Sequence, residues 1–369
     1  MRGRTLAVVF EGGQAVTAIE QEMAAIRREV CLDTLERLVC APSIDDVVLV
    51  TSSDELARWA AVAGVECELA AAEGFHLGKY LSGLVSRRRP ESVMCLGGAS
   101  APLATPDDFE RIVRALESGE DVVVANNLTS ADITAFKPAA AIEAIEPPES
   151  DNFLAYLLWE AGLTPVTLPE GPVFGMDADT PADLAILALH RNAGCRTVGA
   201  ISSSGWLRQQ VQDAASAMRE RHCRVFLSGR VGPAVLEFVR ERLQWRLRVV
   251  TEERGLKSTG PSGPGRVQSI TGKLIDLMGD EGFLDFLEEA CDVALIDTRV
   301  LFAHWGIEAS ANDRFSSDLI RPSAIEDRRI RSFTEAVGRR RTPILLGGHS
   351  LVNGGAWVLA EKACRNLGA

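Results

Sequence analysis

No stretch of about eighteen uncharged apolar residues occurs in this sequence, so it offers no transmembrane helix. The eight cysteines, at 31, 40, 67, 95, 195, 223, 291 and 364, form no CxxC pair, and only His222 stands beside one of them. That scatter argues against structural zinc and a disulfide framework. It points to reduced, mostly buried thiols and a cytoplasmic protein. Positive charge is in deficit: 39 Lys and Arg against 51 Asp and Glu leave a net charge of −12. A chain this acidic is a poor partner for a phosphate backbone, so neither nucleic acid nor a membrane is expected as partner. Two arginines precede the first apolar run, but that run is short and meets Glu11. It reads as a first strand rather than a secretory signal.

What is present is an ordinary globular composition over 369 residues, a length that suggests two domains. In the first half, β-branched runs at Leu6–Phe10, Asp46–Thr51, Ser92–Leu96, Asp121–Ala125 and Pro172–Met176 alternate with helical patterns. The helical patterns cover Ala18–Val39, Asp54–Val62, Pro106–Glu117, Asp151–Ala161 and Pro181–His190. Such alternation predicts an α/β fold with a mostly parallel sheet. A small, polar stretch near Gly194–Ser204 reads as a linker, giving domains over 1–193 and 205–369. The alternation restarts with strands at Arg224–Leu227, Arg246–Thr251, Asp292–Ile296 and Thr342–Leu346, which predicts a Rossmann-like second domain. The Gly/Pro run 257–265 reads as a loop or lid.

The most specific signal is Gly175-Met176-Asp177-Ala178-Asp179-Thr180-Pro181-Ala182-Asp183-Leu184. Two carboxylates stand two residues apart, and Thr180 and Pro181 then start a helix as N-cap and first residue. Asp177 and Asp179 suit Mg²⁺ beside a nucleotide, or alternatively cap that helix. Together with Phe10-Glu11-Gly12-Gly13, the strand Val47–Ser52 and Leu96-Gly97-Gly98-Ala99-Ser100, this motif resembles small nucleotidyltransferases of the GT-A-like fold. Those that make molybdenum-cofactor dinucleotides or guanylylate 2-phospho-lactate are examples. The resemblance covers about residues 5–191. It implies a nucleotide-binding first domain, with Gly12 and Gly13 against the ligand and Mg²⁺ as cofactor. Two departures stand against turnover. The family carries a basic residue after the first strand, where this chain has none between Arg4 and Arg27. It also carries an Asp in the central loop, where this chain has Gly98-Ala99-Ser100. Both losses weaken stabilisation of a phosphoryl transition state.

No family resemblance extends to the second half. Polar residues nevertheless follow its strands: Gly229-Arg230, Asp297-Thr298-Arg299 and Gly347-Gly348-His349-Ser350. Strand ends of an open α/β sheet form a ligand crevice. In this reading Arg230, Arg299 and the Gly347-Gly348 backbone hold an anionic ligand, and Asp297 with His349 (or His304) acts as an acid/base pair. The chain is thus expected to be a nucleotidyltransferase-like protein binding a nucleotide or phosphorylated small molecule. The alternative is a non-catalytic first domain, with any chemistry in the second. Self-association stays open.

Overall fold

The computed structural model describes residues 4–252 and 267–366. Glu253, Arg254 and the 257–265 run lie outside the described residues. The chain divides into two compact units. The first comprises 1–15, 25–177 and 194–197; the second comprises 16–24, 178–193 and 198–369. Each unit holds its own sheet.

In the first unit the chain runs β1 (Thr5–Glu11), most of α1 (Ala18–Val39), β2 (Asp46–Thr51), α2 (Asp54–Ala63), β3 (Glu66–Leu69) and α3 (Leu77–Arg88). It continues through β4 (Ser92–Gly97), α4 (Pro106–Leu116), β5 (Val122–Ala125), β6 (Ile133–Lys137), α5 (Leu154–Glu160), β7 (Thr164–Thr167) and α6 (Pro172–Gly175). The seven strands lie in the order β3-β2-β1-β4-β6-β5-β7. β1 pairs parallel with β2 and β4, while β6 runs antiparallel to β4 and β5. Alternation along the strands splits the core in two. Ala7 and Val9 pack with α1, α2 and α4, whereas Leu6 and Val8 pack with α3 and α5. Thr105 and Asp108 close a capping box on α4, with Pro106 following, as the Thr-Pro-Asp-Asp sequence requires.

The second unit contains α7 (Pro181–Leu187), most of α8 (Cys195–Ser204), α9 (Arg208–Ala217), β8 (Arg224–Gly229), α10 (Pro233–Arg242) and β9 (Arg246–Thr251). It continues through α11 (Ile270–Ala290), β10 (Val293–Asp297), α12 (Thr298–His304), α13 (Ala311–Asp318), α14 (Arg328–Gly338), β11 (Ile344–Gly347) and α15 (Ala356–Asn366). Its four strands are all parallel, in the order β11-β10-β8-β9. Ala294, Ile296, Ile344 and Leu346 bury one face of this sheet against α11, α12 and α14.

Three local expectations are corrected. Pro172–Gly175 is a short helix rather than a strand, because Pro172 starts a helical turn. The segment read as a linker is helix α8. Two of its serines bond back to the preceding turn, Ser203 to the Gly199 carbonyl and Ser204 to that of Ile201, so these hydroxyls are satisfied within the helix. Residues 178–193, read as the end of the first domain, belong to the second unit, where every residue of α7 is buried.

Candidate functional site

In the first unit, the connections from β1 turn one way to β2 and β3 and then return to β4 on its other side. The switch point therefore lies between the ends of β1 and β4, the place where open α/β sheets leave a crevice. Glycines line it. A Cβ on Gly12 would sit 2.7 Å from Ser52 Oγ, and one on Gly98 would sit 2.7 Å from Cys31 Sγ and 2.8 Å from a Glu11 carboxylate oxygen. Gly13 has φ +141°, and its N–H donates to Ser52 Oγ at 3.3 Å. Beneath this turn Glu11, 9% exposed, accepts from Arg27 through both oxygens, each at 3.3 Å. Burial, and then the Glu11 carboxylate, hold the Cys31 thiol well above its usual range.

A pocket of about 420 Å³ opens on the loop between β3 and α3, lined by Ala70, Glu73, Phe75, His76, Lys79 and Tyr80, with Gly83 and Arg87 beyond. Phe10, the penultimate residue of β1, ties it to the strand ends. Its ring lies 5.8 Å from Phe75 and 6.4 Å from Tyr80, and Phe75 and Tyr80 are 5.8 Å apart. The Tyr80 hydroxyl donates to Glu68 at 2.7 Å, and burial followed by that carboxylate pushes its pKa up to about 12. Arg87 is held by the same Glu68, at 3.0 Å. His76 caps α3, its ring nitrogen accepting from the Lys79 N–H. The Lys79 ammonium is exposed and has no ion pair among the described residues. Aromatic and small residues share this lining with Glu73, His76, Lys79 and Arg87, and Lys79 rather than Arg87 is the cation without an ion pair among the described residues.

The candidate metal ligands are placed differently from each other. Asp177 forms an antiparallel bridge with Ser100 in the first unit and is buried. Asp179 belongs to the second, interacting electrostatically with Asp183 and Arg314. The capping box of α7 is formed by Thr180 with Asp183. Among the described residues no group of three or more His, Cys, Asp or Glu has metal-binding placement. Within the first unit the motif thus supplies one carboxylate, and Mg²⁺ there would draw the rest of its shell from ligand phosphates and water.

The second unit has its own switch point, between β8 and β10. Arg230, Asp297 and Arg299 do meet near it, but they satisfy one another. Asp297 accepts from Arg230 at 2.7 and 3.1 Å and caps α12 through the Arg299 N–H. Arg299 is bidentate to buried Asp318, at 2.8 and 2.6 Å. The expected anion site with waiting guanidiniums is therefore corrected: both arginines have internal carboxylates. A Cβ on Gly229 would collide with Asp297, and Gly347 and Gly348 pack against Ala182 and Thr180. His304 bonds Asp276 and the Ser269 N–H, not Asp297. The His349 carbonyl accepts from Asn353, which also takes the Gly232 N–H. Asp183 is 1% exposed, and burial before all else drives its pKa well above the usual carboxylate range. One of its oxygens accepts from the Thr180 N–H, and the other has no hydrogen-bond partner among the described residues.

No family model matches the chain, and no curated protein matches it. Solved nucleotidyltransferases are similar to about half of it. A protein named as a nucleotide-diphospho-sugar transferase of Desulfovibrio desulfuricans is 15% identical over 55% of this chain and 95% of its own, with TM-score 0.42. A cytidylyltransferase of Leptospira borgpetersenii is 16% identical over 57% and 96%, with TM-score 0.39. A nucleotidyl transferase of Methanothermobacter is 16% identical over 54% and 97%, with TM-score 0.37. No helix among the described residues is long and apolar enough to cross a membrane.

No sequence pattern marks Phe75, Tyr80 and Phe10 as a site. They are separated by up to seventy positions in this sequence, and no spacing rule joins them. The one available signal is Gly74-Phe75-His76 standing directly before α3, where a loop opens onto a helix start.

Proposed function

We propose that the first unit is a nucleotide-binding module of nucleotidyltransferase type, with its base site in the Phe75–Tyr80 pocket. The observation that carries this reading is the pocket itself. Two aromatic rings and an unpaired ammonium line a cavity beside the strand ends, so a flat base and an attached anion are both provided for. Gly12 and Gly13 would then lie along the path of the ligand's polar part. Asp177 would be the unit's carboxylate toward Mg²⁺. The alternative, chemistry on an anion in the second unit with Asp297 and His349 as acid and base, requires a ligand to displace Asp297 from Arg230.

A thermal-shift series with nucleosides, nucleotides and sugar phosphates tests the proposal. Saturation at about 100 times Kd adds roughly 2.7 kcal/mol. Phe75→Ala should weaken binding about tenfold or more, given about 1–3 kcal/mol per stacked base. Loss of the shift on Arg230→Ala with Phe75→Ala silent would move the site to the second unit.

A further inference from the structure

We infer that the second unit binds a phosphate group at Arg314, beside the turn that follows β11. This site is independent of the Phe75–Tyr80 pocket. It starts from an arginine that the carboxylates of the unit leave over. Arg224, Arg230, Arg299, Arg329 and Arg340 each hold an Asp or Glu, whereas half-buried Arg314 has no ion pair among the described residues. Helical spacing puts Arg314 one turn before Asp318 on α13, but Asp318 already accepts from both terminal nitrogens of Arg299. Asp179 and Glu20 act on Arg314 without forming an ion pair with it, and the Glu20 carboxylate is bonded to Thr17. Burial first, and then the Arg299 cation, hold the Arg314 guanidinium below its ordinary value. An uncompensated cation of this kind is costly, and an anion placed on it removes the cost.

Other unsatisfied donors gather on the same elements. α7, α13 and β11 pack against one another. Asp183 Oδ1 on α7, Arg314 Nε and Ser316 Oγ on α13, and Ser350 Oγ just past β11 are buried and have no hydrogen-bond partner among the described residues. Asp183, Ser316 and Ser350 are each at most 1% exposed. Bonds and contacts tie the cluster together. Arg299 Nη1 donates to Thr298 Oγ1 at 2.8 Å, and that hydroxyl donates to the Gly347 carbonyl at 3.2 Å. The Thr180 methyl, at the start of α7, lies 3.2 Å from the place a Gly348 Cβ would take. Asp183 in turn interacts electrostatically with Arg299 and Asp318. Held as the acid, Asp183 is a donor like the two serines. A guanidinium with several hydroxyl-type donors suits the three acceptor oxygens of a phosphate better than the two of a carboxylate.

Titration calorimetry on the full chain with inorganic phosphate, in a buffer free of other oxyanions, tests this. One phosphate per chain should bind, and Arg314→Met, which keeps the apolar stem, should weaken it about tenfold or more. Arg314→Lys, which keeps the charge and loses the planar fork, should weaken it about threefold or more. Lys79→Ala, in the first unit, should leave phosphate affinity within about twofold. Without phosphate, Arg314→Met should unfold at the same or a higher denaturant concentration than the parent, because no internal ion pair is lost. A purely structural arginine would lower that midpoint instead. The inference is overturned if the parent binds no phosphate, if Arg314→Met binds it as well as the parent, if Arg314→Met is the less stable protein without phosphate, or if malonate binds more tightly than phosphate. Loss of phosphate binding on Lys79→Ala also overturns it and assigns the anion to the first unit, while the base-site reading is decided separately by nucleoside binding.

Discussion

At the end of β1 the first sheet carries Gly12 and Gly13 with a pocket nearby, whereas at the end of β8 the second carries Gly229 and Arg230 with Asp297 closed over them. Both places are switch points of parallel strands. In the first unit the glycines create space, and an ammonium remains exposed on the neighbouring helix. In the second the glycine at φ +125° serves the opposite purpose, admitting a buried carboxylate against the backbone so that it can neutralise an arginine. Topology therefore marks where a crevice can form, and the charges decide whether it stays open. Charged groups left over, not charged groups counted, separate a binding site from a structural network.

The sharpest way to break this comparison is to remove a carboxylate from the second network. Asp318→Ala strands the buried Arg299 guanidinium, and unfolding by denaturant should show a loss of about 3–5 kcal/mol. A loss under 1 kcal/mol would mean that Arg299 finds water and that the network is open after all. The next largest effect belongs to the first unit. Gly98→Ala forces a methyl against Cys31 Sγ and the Glu11 carboxylate, and should cost about 1–3 kcal/mol by the same measurement. Thr105→Ala, away from both switch points, removes the α4 cap and should cost about 1 kcal/mol, a baseline for ordinary local damage.

The smallest effect is one of sign. Asp183 has its folded pKa raised, mainly by burial, so the folded state holds its proton more tightly than the unfolded chain. Its contribution to stability is complete below the unfolded value near 3.8 and declines as pH rises toward the folded pKa. Asp183→Asn keeps an oxygen for the Thr180 N–H while removing the ionisation. Stability measured from pH 4 upward should then fall less steeply than in the parent protein. An unchanged or steeper slope would show Asp183 to be ionised.

The fold was legible wherever helix punctuation or long apolar alternation survived. α1 runs over Ala18–Val39 as its pattern indicates, and the strands at 46–51 and 246–251 match residue for residue. In the second unit β8, β10 and β11 lie side by side and parallel. The strands that escaped are β3, β6 and β7. Edge strand β7, Thr-Pro-Val-Thr, tolerates a proline because no strand lies beyond it, and β3, Glu-Cys-Glu-Leu, is polar for the same reason. β6 reverses direction, which a repeating β–α pattern does not announce. At the sites, sequence placed Arg230, Asp297 and Arg299 together but not their pairing. Asp318, the partner of Arg299, lies nineteen positions on, in helix α13, whose polar sequence carries no apolar helical pattern.

Neither unit is one continuous stretch of chain, and this orders events during synthesis. Asp33 is buried in the first unit, and its carboxylate accepts both the N–H and the hydroxyl of Thr197, 164 residues later. On the ribosome, α1 and all seven strands of this unit's sheet precede that threonine, and while they emerge Asp33 has no Thr197 to bond. The nascent first unit must wait with this carboxylate hydrated until 194–197 arrive, by which point α7 of the other unit has already been made. Separating the halves by a cut after residue 193 would fix that waiting state permanently.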